Sequence, residues 1–174
     1  GPKTAEFEKL FAEAIGARYA VAVNSGTSGL HLAVRGLGLG AGDEVITTPF
    51  SFIASSNCIL FEGAKPVFVD ADEETFNINP ALIEAAVTER TKALLPVHVF
   101  GESADMDPIM ELARRHDIAV IEDAAHAFGA LYKGRKIGTI GDFGGYSFHE
   151  VKNITSLGEG GLLVSNSDLG EQFA

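Results

Sequence analysis

Segments with apolar residues at helical spacing alternate along this chain with short, continuous apolar runs. At the start, apolar residues from Phe7 to Ile15 recur at helical spacing, which predicts an amphipathic helix over residues 4–15. Thr4 is its expected N-cap, and Gly16 is expected to end it. The apolar run that follows, 19–23, has the length of a short buried strand.

The alternation continues through the middle of the chain. Further strands are predicted at 44–48, 65–70, 93–99 and 119–123, and helices ending near 37 and over 52–61, 80–87 and 105–116, the last capped by Asp105. Strands that alternate with helices indicate βαβ crossovers and a mainly parallel sheet covered on both faces. Later segments predict a turn at 133–135, strands at 145–148 and 162–165, and the start of a helix over 167–174.

These elements predict the α/β class: one domain, built as a three-layer αβα sandwich around a mainly parallel mixed sheet. Its 174 residues, 46% hydrophobic with 20 glycines, are enough to bury a core. The single cysteine, Cys58, excludes an internal disulfide and is expected to pack in the core.

A net charge of −11 argues against nucleic acid or an anionic membrane as a partner. The chain shows no apolar run of membrane-spanning length and no secretory signal, so the expected location is the cytoplasm.

Lys152 is the first residue that suggests chemistry. It follows the β-rich run around Ser147 and precedes the glycine cluster 158–161. A lysine held between glycine-rich turns at the end of a sheet is desolvated, which lowers the pKa of its amine and makes it a nucleophile toward a carbonyl. Taken alone, the same lysine also fits an ordinary surface position.

The segment 24–31 leaves a strand and enters a helix. Backbone N–H groups at a helix start, with hydroxyls and small residues, suit a phosphate group. Gly26 and Thr27 are the candidates, although a plain helix capped by Ser25 or Thr27 explains the same letters. The spacing matches neither a P-loop nor a dinucleotide fingerprint.

Asp123 lies at the carboxyl end of a buried strand, the edge at which open α/β sheets bind ligands. The small alanines after it let a flat ring approach, so its carboxylate can pair with a ring nitrogen. A metal carboxylate and a helix-capping aspartate are the alternatives. No further ligands stand at matched spacing around Asp123 and His126, so no metal site is predicted.

Two more positions complete the set. Phe52 follows another strand and can stack on a planar ligand, whereas Phe50 fits a core position at the entry to a helix. Ser147 and Lys152 reach the same small ligand if the chain between them turns. Together these groups match pyridoxal 5′-phosphate. They supply a phosphate site, a stacking ring, a carboxylate for a ring nitrogen and an amine for an aldehyde.

The segments that carry these residues resemble the sugar aminotransferases of the DegT/DnrJ/EryC1/StrS family, which are fold-type-I pyridoxal-phosphate enzymes. The matching segments are Ala22-Val23-Asn24-Ser25-Gly26-Thr27-Ser28, Gly42-Asp43-Glu44-Val45-Ile46-Thr47-Thr48-Pro49, Gly63-Ala64-Lys65-Pro66-Val67-Phe68-Val69-Asp70, Ile121-Glu122-Asp123-Ala124-Ala125-His126 and Ser147-Phe148-His149-Glu150-Val151-Lys152-Asn153. The resemblance implies that residues 1–174 are the pyridoxal-phosphate-binding large domain, like that of aspartate aminotransferase. Full family members are longer, so it also implies that this domain is incomplete and that an N-terminal segment and a C-terminal small domain are absent.

The resemblance also implies site roles. Lys152 would be the Schiff-base lysine and proton shuttle, and Asp123 would keep the pyridine nitrogen protonated. The other implied cofactor contacts are Phe52 over the ring, the backbone of Gly26 and Thr27 with the Ser147 hydroxyl at the phosphate, and His126 beside the ring hydroxyl. His149, Asn153 and Glu159 lie near the site by position without an assigned role.

The implied reaction transfers an amino group, from glutamate in most members, to a keto group of a nucleotide-linked deoxysugar. The segment 147–153 looks closest to members that act on dTDP-4-keto-6-deoxyhexoses. The resemblance further implies a homodimer with shared active sites. An aminotransferase acting on a cyclitol or an aminobenzoate precursor remains an alternative, as does a non-catalytic regulatory homologue. A plain nucleotide-binding or redox domain lacks its glycine fingerprint here.

Overall fold

A computed structural model describes residues 1–173, and Ala174 lies outside the described residues. The helices are α1 (Pro2–Ile15), α2 (Gly26–Gly36), α3 (Ala54–Leu60), α4 (Pro80–Ala86) and α5 (Met106–His116). The strands are β1 (Tyr19–Val23), β2 (Glu44–Thr47), β3 (Lys65–Phe68), β4 (Thr91–Leu95), β5 (Ala119–Asp123), β6 (Leu131–Tyr132), β7 (Arg135–Lys136), β8 (Phe143–Ser147) and β9 (Gly161–Ser165). Asp168–Phe173 is a 3₁₀ helix, which replaces the helix predicted over 167–174 as far as residue 173.

Seven strands form one sheet in the order β1-β9-β8-β5-β4-β2-β3. The neighbours from β8 to β3 run parallel, and β9 runs antiparallel to both β1 and β8. The sheet is therefore mixed and mainly parallel, as predicted. The turn predicted at 133–135 joins β6 and β7 in a separate two-stranded hairpin.

Successive strand residues point to opposite faces of this sheet, and each face carries its own core. Ile46, Leu94 and Val120 pack in one core with residues of α1, α4 and α5. Val45, Leu95 and Ile121 pack in the other core with residues of α2 and α3, including the fully buried Cys58. The predicted three-layer αβα sandwich is confirmed. None of the helices among residues 1–173 is both long and apolar enough to span a bilayer.

The structure corrects several predicted boundaries. Helix α1 begins at Pro2 with Gly1 as its N-cap, so Thr4 lies inside the helix; proline suits the first turn because its missing N–H has no intrahelical partner there. Helix α3 begins at Ala54, which leaves Phe52 outside it. Asp105 is the N-cap of α5 by position only: its carboxylate accepts a hydrogen bond from the Tyr132 hydroxyl at 2.5 Å.

Candidate active site

A cavity of about 660 Å³ lies at the carboxyl ends of the parallel strands. Asp123 ends β5, Ser147 ends β8, and both line this cavity. All seven residues proposed from the sequence line it: Gly26, Thr27, Phe52, Asp123, His126, Ser147 and Lys152. The structure thus brings together residues that span most of the chain.

The start of α2 forms one wall of the cavity. Ser25 is the N-cap, because its hydroxyl accepts the N–H of Ser28 at 3.2 Å and its carbonyl accepts the N–H of Gly29 at 3.2 Å. The N–H groups of Gly26 and Thr27 have no acceptor in the helical ladder. The capped-helix interpretation is therefore correct for Ser25, and the same cap leaves two N–H donors on residues that line the cavity.

Glycine is required at position 26 by the approach of α2 to β8. A Cβ atom there would lie 2.8 Å from the Cβ of Ser147, a distance that side chains do not tolerate. Gly161 of β9 is similar, since its Cβ would lie 2.3 Å from the carbonyl carbon of Ser25. Two glycines thus let the helix start and the Ser147 hydroxyl meet at one point.

The carboxylate of Asp123 is 5% exposed. Its Oδ1 accepts the N–H of Ala125 at 3.1 Å, and its Oδ2 accepts the hydroxyl of Ser55 at 2.7 Å. Among residues 1–173 the next element after Asp123 is the strand β6, so Asp123 does not cap a helix. Among residues 1–173 no group of three histidine, cysteine, aspartate or glutamate side chains could hold a metal ion.

Lys152 lies in a turn beyond the end of β8, where its N–H donates to the carbonyl of His149 at 2.9 Å. This turn brings the amine and the Ser147 hydroxyl to the same cavity, as the spacing predicted. Burial lowers the pKa of the Lys152 amine below its ordinary value, and the negative charge of Asp123 opposes that shift. The amine therefore loses its proton more readily than a surface lysine does.

His126 lines the same cavity as these two charged groups. Burial lowers the pKa of its imidazole below the ordinary value, and the positive charge of Lys152 lowers it further, whereas Asp123 raises it. The side chain is accordingly a neutral imidazole at neutral pH, able to donate or accept one hydrogen bond.

Two phenylalanines after β2 differ from each other. Phe52 lines the cavity with 69% of its surface exposed, so its ring is available to a planar ligand. The core position considered for Phe50 is wrong: this side chain is 43% exposed and contacts Phe76 and Phe100, with ring centroids 5.5 and 6.2 Å away.

The sequence interpretation missed two serines. Ser55 is buried beside Asp123, and its Oγ lies 2.7 Å from the Oγ of Ser51, which lines the cavity. Two hydroxyls four residues apart at the start of a helix are a weak signal, since such serines often cap or bond locally. The sequence did not indicate that they lie beside Asp123.

It also missed Glu122, which points away from Asp123 to the opposite face of β5. Its buried carboxylate accepts the N–H groups of Gly138, Ile140 and Gly141 at 2.7 to 2.8 Å. His98 Nε2 lies 3.0 Å from the same carboxylate, and the imidazole Nδ1 accepts the N–H of Ala104 at 3.1 Å. These bonds fix the strand that ends at Asp123.

His149 and Glu159, to which no role was assigned, also line the cavity. The His149 Nε2 lies 3.3 Å from the Glu159 carboxylate, so the two side chains meet across the loop that carries Lys152.

Comparison with known proteins identifies relatives of this chain. The chain is 52% identical over 163 residues to the GDP-perosamine synthase of Caulobacter vibrioides, covering 94% of this chain and 44% of that protein. An aminotransferase structure from Psychrobacter cryohalolentis superposes with a TM-score of 0.95 at 47% identity, over 98% of this chain and 43% of that one. The PLP-form of a putative sugar aminotransferase from Streptococcus pneumoniae superposes with a TM-score of 0.94 at 36% identity, over 99% and 49%.

The chain spans less than half the length of the curated relatives it matches, 43% and 44% of the first two. Residues 1–173 match the DegT/DnrJ/EryC1/StrS aminotransferase family over their whole length. The chain therefore belongs to the DegT/DnrJ/EryC1/StrS aminotransferase family.

Proposed function

We propose that this chain is the cofactor-binding domain of a pyridoxal-phosphate-dependent aminotransferase, which transfers an amino group to a keto group of a nucleotide-linked deoxysugar. One observation carries the proposal: a single cavity holds a desolvated lysine, a buried carboxylate and a helix start with two N–H donors. This combination suits an aldehyde, a ring nitrogen and a phosphate on one small molecule.

The residues present fit pyridoxal phosphate. Glycine at position 26 lets the start of α2 come close enough to Ser147 for the helix N–H groups and the serine hydroxyl to reach one phosphate. Asp123 accepts two hydrogen bonds from the protein, and a carboxylate has about four acceptor positions, so it can take a further donor from a ring nitrogen. Phe52 offers an exposed ring at the same cavity.

In this proposal Gly26, Thr27 and Ser147 hold the phosphate, Phe52 stacks on the ring, and His126 lies beside the ring hydroxyl. When bound, pyridoxal phosphate supplies a protonated ring that accepts electrons from the reacting carbon. Asp123 keeps the proton on the ring nitrogen through an ion pair in a site that excludes most water. That pairing is stronger in the buried site than it would be in water.

Lys152 has two roles in the proposal. Its amine would hold the cofactor at the aldehyde, with loss of water, and a lowered pKa increases the fraction of neutral, nucleophilic amine. The same amine would take and return the proton at the reacting carbon.

The substrate class is supported by the relatives. GDP-perosamine synthase carries the name of an amino-sugar-forming enzyme, and the Streptococcus protein is described as a putative sugar aminotransferase. The name of the Caulobacter relative contains a GDP sugar, whereas the resemblance of segment 147–153 favoured a dTDP sugar. The nucleotide is therefore left open within the proposal, and glutamate is the proposed amino donor.

A homodimer in the cytoplasm is part of the same proposal. Val151 and Leu157, in the loop that carries Lys152, are 76% and 95% exposed. Exposed apolar residues beside a catalytic loop are a surface that a partner subunit or the rest of the chain would cover. The groups that bind the nucleotide diphosphate would then come from there, which accords with the net charge of −11 on these residues.

The function is tested with the full-length protein in two half-reactions. Pyridoxal phosphate and glutamate should yield one 2-oxoglutarate per site, and a nucleotide-linked 4-keto-6-deoxyhexose should then be aminated. GDP-linked, dTDP-linked and cyclitol ketones are compared as acceptors, with Lys152→Ala as the inactive control. Amination of a cyclitol alone would replace the sugar by the alternative substrate. If glutamate gave no 2-oxoglutarate and no acceptor was aminated, the aminotransferase proposal would be refuted.

A further inference from the structure

A series of hydrogen bonds leads from the cavity to the buried carboxylate of Asp123. It passes through the hydroxyls of Ser51 and Ser55. Ser55 lies on α3 with 1% of its surface exposed, and its Oγ is 2.7 Å from Asp123 Oδ2. The Ser51 Oγ is 2.7 Å from the Ser55 Oγ, and Ser51 lines the cavity. The contact between Ser55 and Asp123 joins residues 68 apart in sequence.

The number of protons available decides which group donates in each of these hydrogen bonds. A serine hydroxyl has one proton, and a carboxylate can only accept. Ser55 therefore donates to ionised Asp123 at 2.7 Å in preference to the Phe52 carbonyl at 3.3 Å, and Ser51 donates to Ser55. In this arrangement both hydroxyls support the charged form of the carboxylate, and hydrogen bonds to a charged acceptor are the stronger kind.

Asp123 depends on such support. No lysine, arginine or histidine among residues 1–173 lies within ion-pair distance of its carboxylate. Its protein donors are the Ser55 hydroxyl and the Ala125 N–H, one on each oxygen. A buried anion with two donors is held in place but not neutralised, so it retains its attraction for a cation entering the cavity.

We infer that Ser55 is a positioning residue. It fixes the rotamer and the charge of Asp123 so that the carboxylate selects a ring N–H. Ser51 orients the Ser55 hydroxyl. This inference rests on the proposed function, because the ring nitrogen is that of pyridoxal phosphate. It assigns to α3 a part in cofactor recognition that reaches the ring only through Asp123.

The test compares two probes on the full-length protein freed of cofactor. One is pyridoxal 5′-phosphate, and the other is 1-deazapyridoxal 5′-phosphate, in which C–H replaces the ring nitrogen. Both probes carry the same aldehyde and phosphate. The ratio of their two Kd values is the preference for the ring nitrogen. Dividing the ratio of a variant by that of the wild type cancels the contacts of the aldehyde and the phosphate. Kd is measured by equilibrium ultrafiltration.

Ser55→Ala should lower the preference for the ring nitrogen about tenfold, the usual effect of losing a hydrogen bond to a charged group. Ser55→Thr, which keeps a hydroxyl, should retain most of the preference, and Ser51→Ala should give a smaller loss. Ser56→Ala is the matched control: its hydroxyl bonds only the Ile53 carbonyl on the exposed side of α3, and the preference should be unchanged.

Equal weakening of both probes by Ser55→Ala would mean that the serine only packs α3 against β5, and it would overturn the inference. The inference would also be overturned if Asp123→Asn abolished the preference but Ser55→Ala left the ratio unchanged. The proposed function would survive that result. Wild-type protein that binds neither probe would overturn the proposed function and this inference with it.

Discussion

Gly26 and Ser147 meet so closely that a Cβ atom on the glycine would lie 2.8 Å from the Cβ of the serine. This contact joins the start of α2 to the end of β8, two elements far apart in sequence. In the proposed function the phosphate binds at this junction, and the contact sets the distance between the helix N–H groups and the serine hydroxyl.

Gly26→Ala should therefore damage binding more than folding. The added methyl forces α2 and β8 apart, which should cost about 1–3 kcal/mol in the free energy of unfolding. The Kd for pyridoxal phosphate should rise further than that for pyridoxal, which lacks the phosphate. Urea unfolding and binding of both probes measure this, with Gly40→Ala as control because a Cβ there meets only a carbonyl at 3.6 Å. An equal rise in both Kd values would place the phosphate elsewhere.

The reactivity of Lys152 should depend on pH in a defined direction. Its lowered pKa means that the rate of pyridoxal attachment should reach half its maximum below the pH of about 10.4 typical of a free lysine. The negative charge of Asp123 raises the pKa of Lys152, so Asp123→Asn should move this midpoint to lower pH. A midpoint that stays in place, or moves up, would show that Asp123 does not act on Lys152 electrostatically.

Phe52 should matter for binding and not for stability. Its side chain is 69% exposed, so Phe52→Ala should change the free energy of unfolding by no more than about 0.5 kcal/mol. Loss of a stacked ring should weaken pyridoxal phosphate binding by about 0.5–1.5 kcal/mol, and Phe52→Tyr should restore it. Phe61→Ala, also an exposed phenylalanine but outside the cavity, should leave binding unchanged. Equal effects of both alanine variants would remove Phe52 from the cofactor site.

Glu122 should behave in the opposite way, as a residue needed for folding. In Glu122→Gln the amide nitrogen would face a backbone N–H that now donates to the carboxylate, leaving a buried donor unsatisfied. The expected loss is about 2–5 kcal/mol in the free energy of unfolding, measured by urea denaturation. Glu111→Gln on the exposed face of α5 should lose almost nothing. A stable Glu122→Gln protein would mean that the Gly138–Gly141 loop does not depend on this carboxylate.

Much of this architecture follows from local patterns. Local patterns located the strands Tyr19–Val23 and Ala119–Asp123 to the residue, the first from its continuous apolar run and the second from the three apolar residues that precede Glu122 and Asp123. The direction of β9, which runs antiparallel between β1 and β8, had no such signal. Strand direction depends on how the chain returns to the sheet, which a five-residue apolar run does not record.

Some site residues could likewise be located from the sequence, and others could not. Asp123 and Ser147 end strands, and the position of a strand end in a parallel sheet predicts that its side chain faces the binding edge. Ser55 could not be found by that argument, since its bond to Asp123 depends on how α3 packs against the sheet. Its place before a predicted helix suggested a core position for Phe50, yet its ring contacts two other exposed rings at the surface.

The most direct test of the account is borohydride reduction of the full-length protein loaded with pyridoxal phosphate, followed by peptide mass mapping. If Lys152 holds the cofactor, one phosphopyridoxyl group per chain should be attached to Lys152, and none should be attached in Lys152→Ala. A label on another lysine, or a protein that binds the cofactor without any reducible link, would contradict it and would favour a family member that has kept the fold without the chemistry.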